Sequence, residues 1–288
     1  MLLDKMILGI DAGSHRVKVF GSFGEDKFRS NVCGWFERDI EEQFDEDDME
    51  FEIDGRKGFA GTIALYEDEF GSASIYGDSK AHQDTKIRVL LAINRYLERH
   101  SPSMGRVAIV VGQPIKGHKE TEKKRIKGML EGQHTVKVNG RTRTFFIENI
   151  GVAAEGSAAF WSNPSDGVVR IIDIGSGTVN AATITDKRHV NNASDTFNFG
   201  VETINNKEDY GNLASGIIRN TTRLKWNKSD RVLVCGGISE GIIQLIAEHY
   251  PNAHILNPVS KIGSEVKFLS PIYANAAGFY AIAKGAFG

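Results

Sequence analysis

The chain has 288 residues, of which 41% are hydrophobic and 25% charged, with a formal net charge of −2. This length suggests about two domains, and the composition suits a soluble globular protein that buries its core without disulfides or metals. The near-neutral balance gives no support for a whole-protein nucleic-acid surface. The two cysteines, Cys33 and Cys235, are far apart and form neither a zinc knuckle nor a redox pair. No apolar run approaches the roughly 20 residues of a membrane span. The start, Met1 to Asp11, is interrupted by Asp4 and Lys5 and does not read as a signal peptide, so a cytosolic location is expected.

In chain order, residues 6–10 and 17–20 read as short strands flanking Asp11-Ala-Gly-Ser14, a hairpin whose turn carries Asp, Gly and Ser. The acidic stretch Glu37–Glu52 reads as a solvated segment, because a calcium loop would need a central Gly that it lacks. Residues 82–99 place Ile87, Leu90, Leu91, Ile93 and Leu97 on one face of an amphipathic helix. Val107–Val111 is a buried strand ending at Gly112-Gln-Pro114. The Lys-rich run 118–131 has Glu120 and Glu122 at its start, an order that suits a solvated helix. Strands are expected near 134–138 and 143–150, followed by a small-residue segment, Val152–Trp161, at helical spacing. Asn163-Pro-Ser-Asp-Gly167 is the best linker.

After that linker, Val168–Thr178 repeats the opening. In both copies an apolar strand ends in Asp, Gly follows at the second position and Ser at the third, and another strand resumes. Such a repeat implies two domains of related fold. A helix near 203–225 follows, then a βα unit through Gly236-Gly237 with a helix at 242–249, and a small-residue helix from Pro271 to Lys284.

Glycine in each turn permits close backbone approach, and successive N–H groups there form a concavity for anions. Ser14, Ser176 and Thr178 add hydroxyls, and Lys18 is a point charge for phosphate. Asp11 and Asp173 suit phosphate only with a cation between, and Mg²⁺ binds through one or two carboxylates plus waters and phosphates. Gly236-Gly237 would let backbone lie flat against a nucleoside.

The ordered set of hairpin, helix, small-residue segment with one Glu, second hairpin, Gly-Gly and final small-residue helix resembles the actin-like ATPase superfamily. The first phosphate segment is Ile7–Val19, the first connecting segment Ile147–Ala159 and the second phosphate segment Ile171–Thr178. The adenosine segment is Leu233–Gly241, and the second connecting segment is Pro271–Ala283. Within the superfamily the chain is similar to plasmid-partitioning actins of the ParM/StbA type, through Val107–Pro114, Phe51–Gly61 and Ile147–Ala159.

The resemblance implies an α/β fold of two RNase H-like (actin-like) domains with a nucleotide cleft between them. Residues 1–163 would be domain I, with an inserted small subdomain at about 32–78, and 164–288 would be domain II. The span from Asp11 to Glu155 is more than twice that from Asp173 to Gly236, which leaves no room for the second small subdomain (IIB). It is therefore expected to be absent or vestigial, as in the AlfA-like branch.

The implied cofactors are ATP, with GTP left open because residues 200–226 diverge, and Mg²⁺. The implied phosphate and nucleoside ligands are Asp11, Gly13, Ser14, Lys18, Gly175, Ser176, Gly177, Thr178, Gly236 and Gly237, with Asp11 and Asp173 serving the metal. Glu155 falls at the position of the water-activating Glu. Ala154 stands where that segment usually has Pro, so Glu148 is the fallback. The implied activity is a polymerising ATPase that segregates plasmid DNA through a DNA-binding adaptor, with itself as principal partner, no direct nucleic-acid contact and no membrane. The alternatives are a small-molecule kinase of the same superfamily and a non-plasmid bacterial cytoskeletal actin.

Overall fold

A computed structural model describes residues 5–40, 43–67, 79–204, 206, 209–262 and 265–288. The chain opens with β1 (Met6–Ala12), β2 (Arg16–Gly21), β3 (Gly24–Arg29), β4 (Val32–Gly34), β5 (Met49–Ile53), β6 (Arg56–Ala60) and α1 (Thr62–Glu67). It continues through α2 (Gln83–His100), β7 (Arg106–Gln113), α3 (Glu120–Leu130), β8 (Gly132–Val138) and β9 (Arg141–Ala154). Then come β10 (Val168–Ile174), β11 (Val179–Thr185), β12 (Arg188–His189), β13 (Asp195–Phe197) and α4 (Tyr210–Arg223). The last elements are β14 (Val232–Gly236), α5 (Ser239–Ala247), β15 (Ala253–Ile255), β16 (Val259–Ile262), β17 (Glu265–Phe268) and α6 (Ala274–Phe287).

Two sheets organise these elements. The first runs β3-β2-β1-β7-β9-β8-β5-β6-β4, and the second runs β12-β11-β10-β14-β15 with β13 on β11. The repeat read in the sequence reappears in the pairing. β1 is antiparallel to β2 and parallel to β7, as β10 is antiparallel to β11 and parallel to β14. Each sheet therefore carries an Asp-ended central strand with a hairpin on one side. Between β13 and β14, α4 is the one helix among the described residues. The expected inserted part at about 32–78 falls partly at 41–42 and 68–78, which lie outside the described residues.

The period of α2 explains its place. Ile87, Leu90, Leu91, Ile93 and Leu97 are fully buried with Met6, Leu8 and Ile10 of β1 in one cluster. The acidic stretch has a structural role: Arg95 reaches Asp26 and Asp47, and Arg99 reaches Asp26 and Glu46. The basic run forms α3, which buries Ile126 and Leu130.

The segment Val152–Trp161 departs from the helix expected of it. β9 continues to Ala154, Glu155 N donates to Gln113 O at 2.9 Å, and only Ala158–Ser162 forms a short 3₁₀ turn. Pairing with β7 wins over helical spacing because it satisfies the backbone of a half-buried segment. The small residues still serve close approach, with α6 as the helix that comes near. A Cβ at Gly278 would lie 1.9 Å from Ala158 O. Two boundaries also move: α4 begins at Tyr210 rather than 203, and α5 spans Ser239–Ala247 rather than 242–249.

α6 lies on the face of β1 opposite α2, where Ile7 packs with Phe279 and Ala283. At Gly9 the two backbones nearly touch: a Cβ there would sit 2.1 Å from Ala276 O and 2.2 Å from Tyr280 N. Backbone cannot swing aside as a side chain can, so Gly9→Ala should destabilise the chain by about 3 kcal/mol in urea unfolding. Gly128 in α3 has nothing within 4 Å of its added Cβ. Gly128→Ala should instead leave stability unchanged or raise it by up to ~1 kcal/mol.

Candidate nucleotide-binding cleft

The ends of β1, β10 and β14 and the starts of α2 and α6 enclose a cavity of about 670 Å³. Asp11, Gly13, Ser14, Lys18, Glu155, Asp173, Gly175, Ser176, Gly177, Thr178, Gly236 and Gly237 all line it. Glu148 is not among the lining residues. It is held by Lys5 at 3.2 Å and Arg106 at 2.6 Å.

The two hairpin turns face one another closely enough for Ser14 Oγ and Ser176 Oγ to share a hydrogen bond of 2.5 Å. Either hydroxyl could exchange that partner for an anionic oxygen. Each turn is braced from its own side. Ser30 Oγ donates to Gly13 O at 2.6 Å, and Gly175 N donates to Thr178 O at 2.9 Å. Lys18 Nζ lies 3.1 Å from Asp11 Oδ2, so the cation stands at the turn with its charge balanced.

At the other end, β14 stops at Gly236 with φ of +104°, and a Cβ there would meet Ile174 O at 2.1 Å. Only glycine satisfies both demands. Gly237 has open space on its Cβ side. Val201, Glu202, Thr203, Ile238 and Ile272 also border the cavity, so the divergent 200–226 region does reach it.

The floor holds three acidic side chains: Asp11, Glu155 and Asp173 are each less than a tenth exposed. Asn275 Nδ2 and Asn180 Nδ2 donate to Asp173 Oδ2 at 3.0 and 3.2 Å, and Cys235 Sγ lies 3.8 Å from Oδ1. Burial pushes the Asp173 carboxyl up to about 6, and the nearby Glu155 and Asp11 charges add to that against the pull of the two amides. Burial likewise pushes the Cys235 thiol up, and the Asp173 charge does the same. Glu155 Oε1 is buried, lies 3.0 Å from Lys80 Nζ, and has no well-aligned hydrogen bond.

Among the described residues no set of three His, Cys, Asp or Glu side chains forms a metal cage. The donor set nevertheless fits Mg²⁺ held largely through water and phosphate. Asp11 and Asp173 are crowded like charges whose repulsion a divalent cation would relieve.

Sequence reasoning missed Lys80, Asn180 and Asn275. Lys80 precedes a helix and belongs to no motif. Asn275 did leave a signal, as a polar residue inside an otherwise small and apolar run, Ala274-Asn-Ala-Ala-Gly278. It is less than a tenth exposed, and its Oδ1 accepts from Gly156 N at 2.9 Å, which ties α6 to the turn after Glu155.

The raised Asp173 carboxyl has a measurable consequence. Its folded value lies above its ordinary one of 3.8. The cost of ionising it is absent below about pH 4, grows as pH rises through about 6, and is full above that. In the ligand-free chain, Asp173→Asn should therefore gain up to ~3 kcal/mol at pH 7.5. That gain should fall to about 1 kcal/mol near pH 4.5 and vanish below about pH 4 in thermal unfolding followed across pH.

Residues 9–157, just over half of the chain, match the family model for the N-terminal domain of actin-like proteins. No curated protein matches the chain in sequence. Among solved structures, the AlfA filament bound to AMPPNP is 20% identical at a TM-score of 0.76, covering 95% of this chain and 94% of that one. The AlfA filament from a B. subtilis plasmid is 19% identical at 0.77, over 99% of this chain and all of the other. The apo psk41 ParM protein is 14% identical at 0.75, over 98% of each. At these identities the likeness is one of fold, and it extends over both sheets and the cleft between them. Together with the family match over β1 to the turn after Glu155, it means that the chain belongs to the actin-like proteins.

Proposed function

We propose that the chain is an ATPase that assembles into nucleotide-dependent filaments and moves plasmid DNA through a DNA-binding adaptor. The observation that carries the nucleotide reading is the pair of Asp-x-Gly-Ser turns, brought within one hydrogen bond of each other over a floor of buried carboxylates. Support for assembly comes from the fold shared with the AlfA filaments, one of them bound to AMPPNP. In this reading residues 1–163, with an inserted part at about 32–78, and residues 164–288 are two lobes, and α6 reaches back across β1. No described helix is long and apolar enough to cross a membrane.

Phosphoryl transfer asks mainly for positioning and charge neutralisation. Ser14 and Lys18 would hold one side of the phosphates. Gly175, Ser176, Gly177 and Thr178 would hold the other, and Gly236-Gly237 would lie along the nucleoside. Asp11 and Asp173 would hold Mg²⁺ through water, and the ion would supply charge neutralisation on the phosphates. Glu155, with one buried oxygen lacking an aligned donor, would orient the attacking water and accept its proton. Closure of the two turns on a triphosphate would favour the polymerising shape, and loss of the terminal phosphate would withdraw that preference.

The test is light scattering with simultaneous phosphate release after addition of Mg-ATP. Assembly followed by decay as phosphate appears is the expected result. A chain that stays unassembled at tens of micromolar and passes phosphate to a small acceptor is a kinase instead. Glu155→Gln should lower phosphate release ~10²-fold or more without loss of nucleotide affinity, and its filaments should persist. Glu148→Gln should do neither, since its partners are Lys5 and Arg106 outside the cleft.

A further inference from the structure

Lys80 lies just before α2, at the cavity wall, with its side chain about one-fifth exposed. Its ammonium lies 3.0 Å from Glu155 Oε1 and donates to Ala12 O at 3.3 Å. An ammonium has three N–H donors. One is given to Ala12 O and the pairing with Glu155 is ionic, so the ammonium keeps donor capacity for a further anionic oxygen. Burial alone would push this amine down, but the Glu155 and Asp11 charges outweigh it, so the group stays charged.

Its place along the cavity sets what it can touch. Lys80, Glu155, the two serine turns and Gly236-Gly237 all line the same cavity. If the nucleoside lies along Gly236-Gly237 and Glu155 acts on the water that attacks the terminal phosphate, as proposed above, a cation in contact with Glu155 stands beside that phosphate, and a diphosphate stops short of it. Lys18 is already committed to Asp11. The ion pair also competes with the role given to Glu155, because its buried Oε1 faces an ammonium rather than a water.

We propose that Lys80 is the terminal-phosphate sensor of the cleft: without a triphosphate it is parked on Glu155, and with one it transfers to the outermost phosphate and releases Glu155 to act on water. The inference rests on the nucleotide reading above. The segment that carries Lys80 is coupled outward. Ser79 Oγ donates to Glu122 Oε2 of α3 at 2.6 Å, and His82 Nδ1 accepts from Thr85 N at the start of α2 at 3.3 Å. Movement of Lys80 therefore acts on Ser79 and His82, which are tied to α3 and to the start of α2, and the presence of the terminal phosphate reaches those helices by that route.

The experiment measures Mg²⁺-dependent affinity for imido-ATP and for ADP, by displacement of a fluorescent ADP, in the full chain and in Lys80→Met and Lys80→Arg. The expected result is at least tenfold weaker imido-ATP binding in Lys80→Met, ADP binding within twofold, and most of the loss recovered in Lys80→Arg. Equal weakening of both nucleotides would reduce Lys80 to a structural strut and overturn the proposal. So would unchanged imido-ATP binding. Should Lys80→Met fail to fold, Glu155→Gln serves in its place. Removing the competing carboxylate should tighten imido-ATP at least threefold while leaving ADP alone, and no change in that ratio overturns the proposal. An unaltered chain that binds neither nucleotide sinks the nucleotide reading itself, a result distinct from either of these.

Discussion

Three carboxyl groups buried at one point are the constraint around which this molecule is arranged. Asp11, Asp173 and Glu155 come from the end of β1, the end of β10 and the turn after β9, and none has bulk water to spread its charge. Burial raises the Asp173 carboxyl, and the like charges of Glu155 and Asp11 in the same poorly hydrated floor add to that rise. The surrounding polar groups answer that repulsion. Lys18 stands on Asp11, Lys80 on Glu155, and two amides, Asn180 and Asn275, donate to Asp173. Each of these partners comes from a different part of the chain, so the floor exists only when both sheets, the start of α2 and the start of α6 are in place.

The backbone explains how such a floor is held still. α6 is pressed against β1 at Gly9 and against the turn at Ala158 through Gly278, with no side chain between. Contacts of this kind transmit displacement with little slack, because packed interiors do not compress. Asn275 belongs to the same helix and touches both Asp173 and the Gly156 amide. A change at the floor thus reaches both sheets through one rigid element. That coupling is what an actin-like protein needs if its outline is to depend on what lies in its cleft.

The second sheet carries less around its hairpin than the first. Between β13 and β14 the described residues hold α4 alone as a helix, and α4 packs with α5 on the second sheet. The β14 side of the cavity is therefore built from Gly236-Gly237 and the 201–203 turn rather than from an added layer. The opposite wall, with Lys80, His82, Thr85 and Arg88, belongs to α2 and the residues just before it. The cleft is lopsided in its chemistry as well as its size, with most of its cationic side chains on the first-sheet side.

The sequence alone determined the elements whose pattern is local and repeated. Alternation and apolar runs gave β1, β2, β7, β10, β11 and β14, helical spacing gave α2, and the doubled Asp-x-Gly-Ser turn gave the two related halves. The same repeat identified the residues that line the cavity, because a turn carrying Asp, Gly and Ser restricts its own backbone. Tertiary structure decided what depends on distant partners. The segment Val152–Ala154 stays in β9 because β7 offers a ladder, although its small residues suit a helix equally well. Asn180 and Asn275 acquire meaning only when Asp173 is buried beside them. Lys80, in a stretch with no motif, becomes part of the site solely because the fold sets its ammonium against Glu155. Local pattern specifies backbone conformation, whereas the charge balance of a buried site is set by which remote side chains the packing brings within a few ångströms.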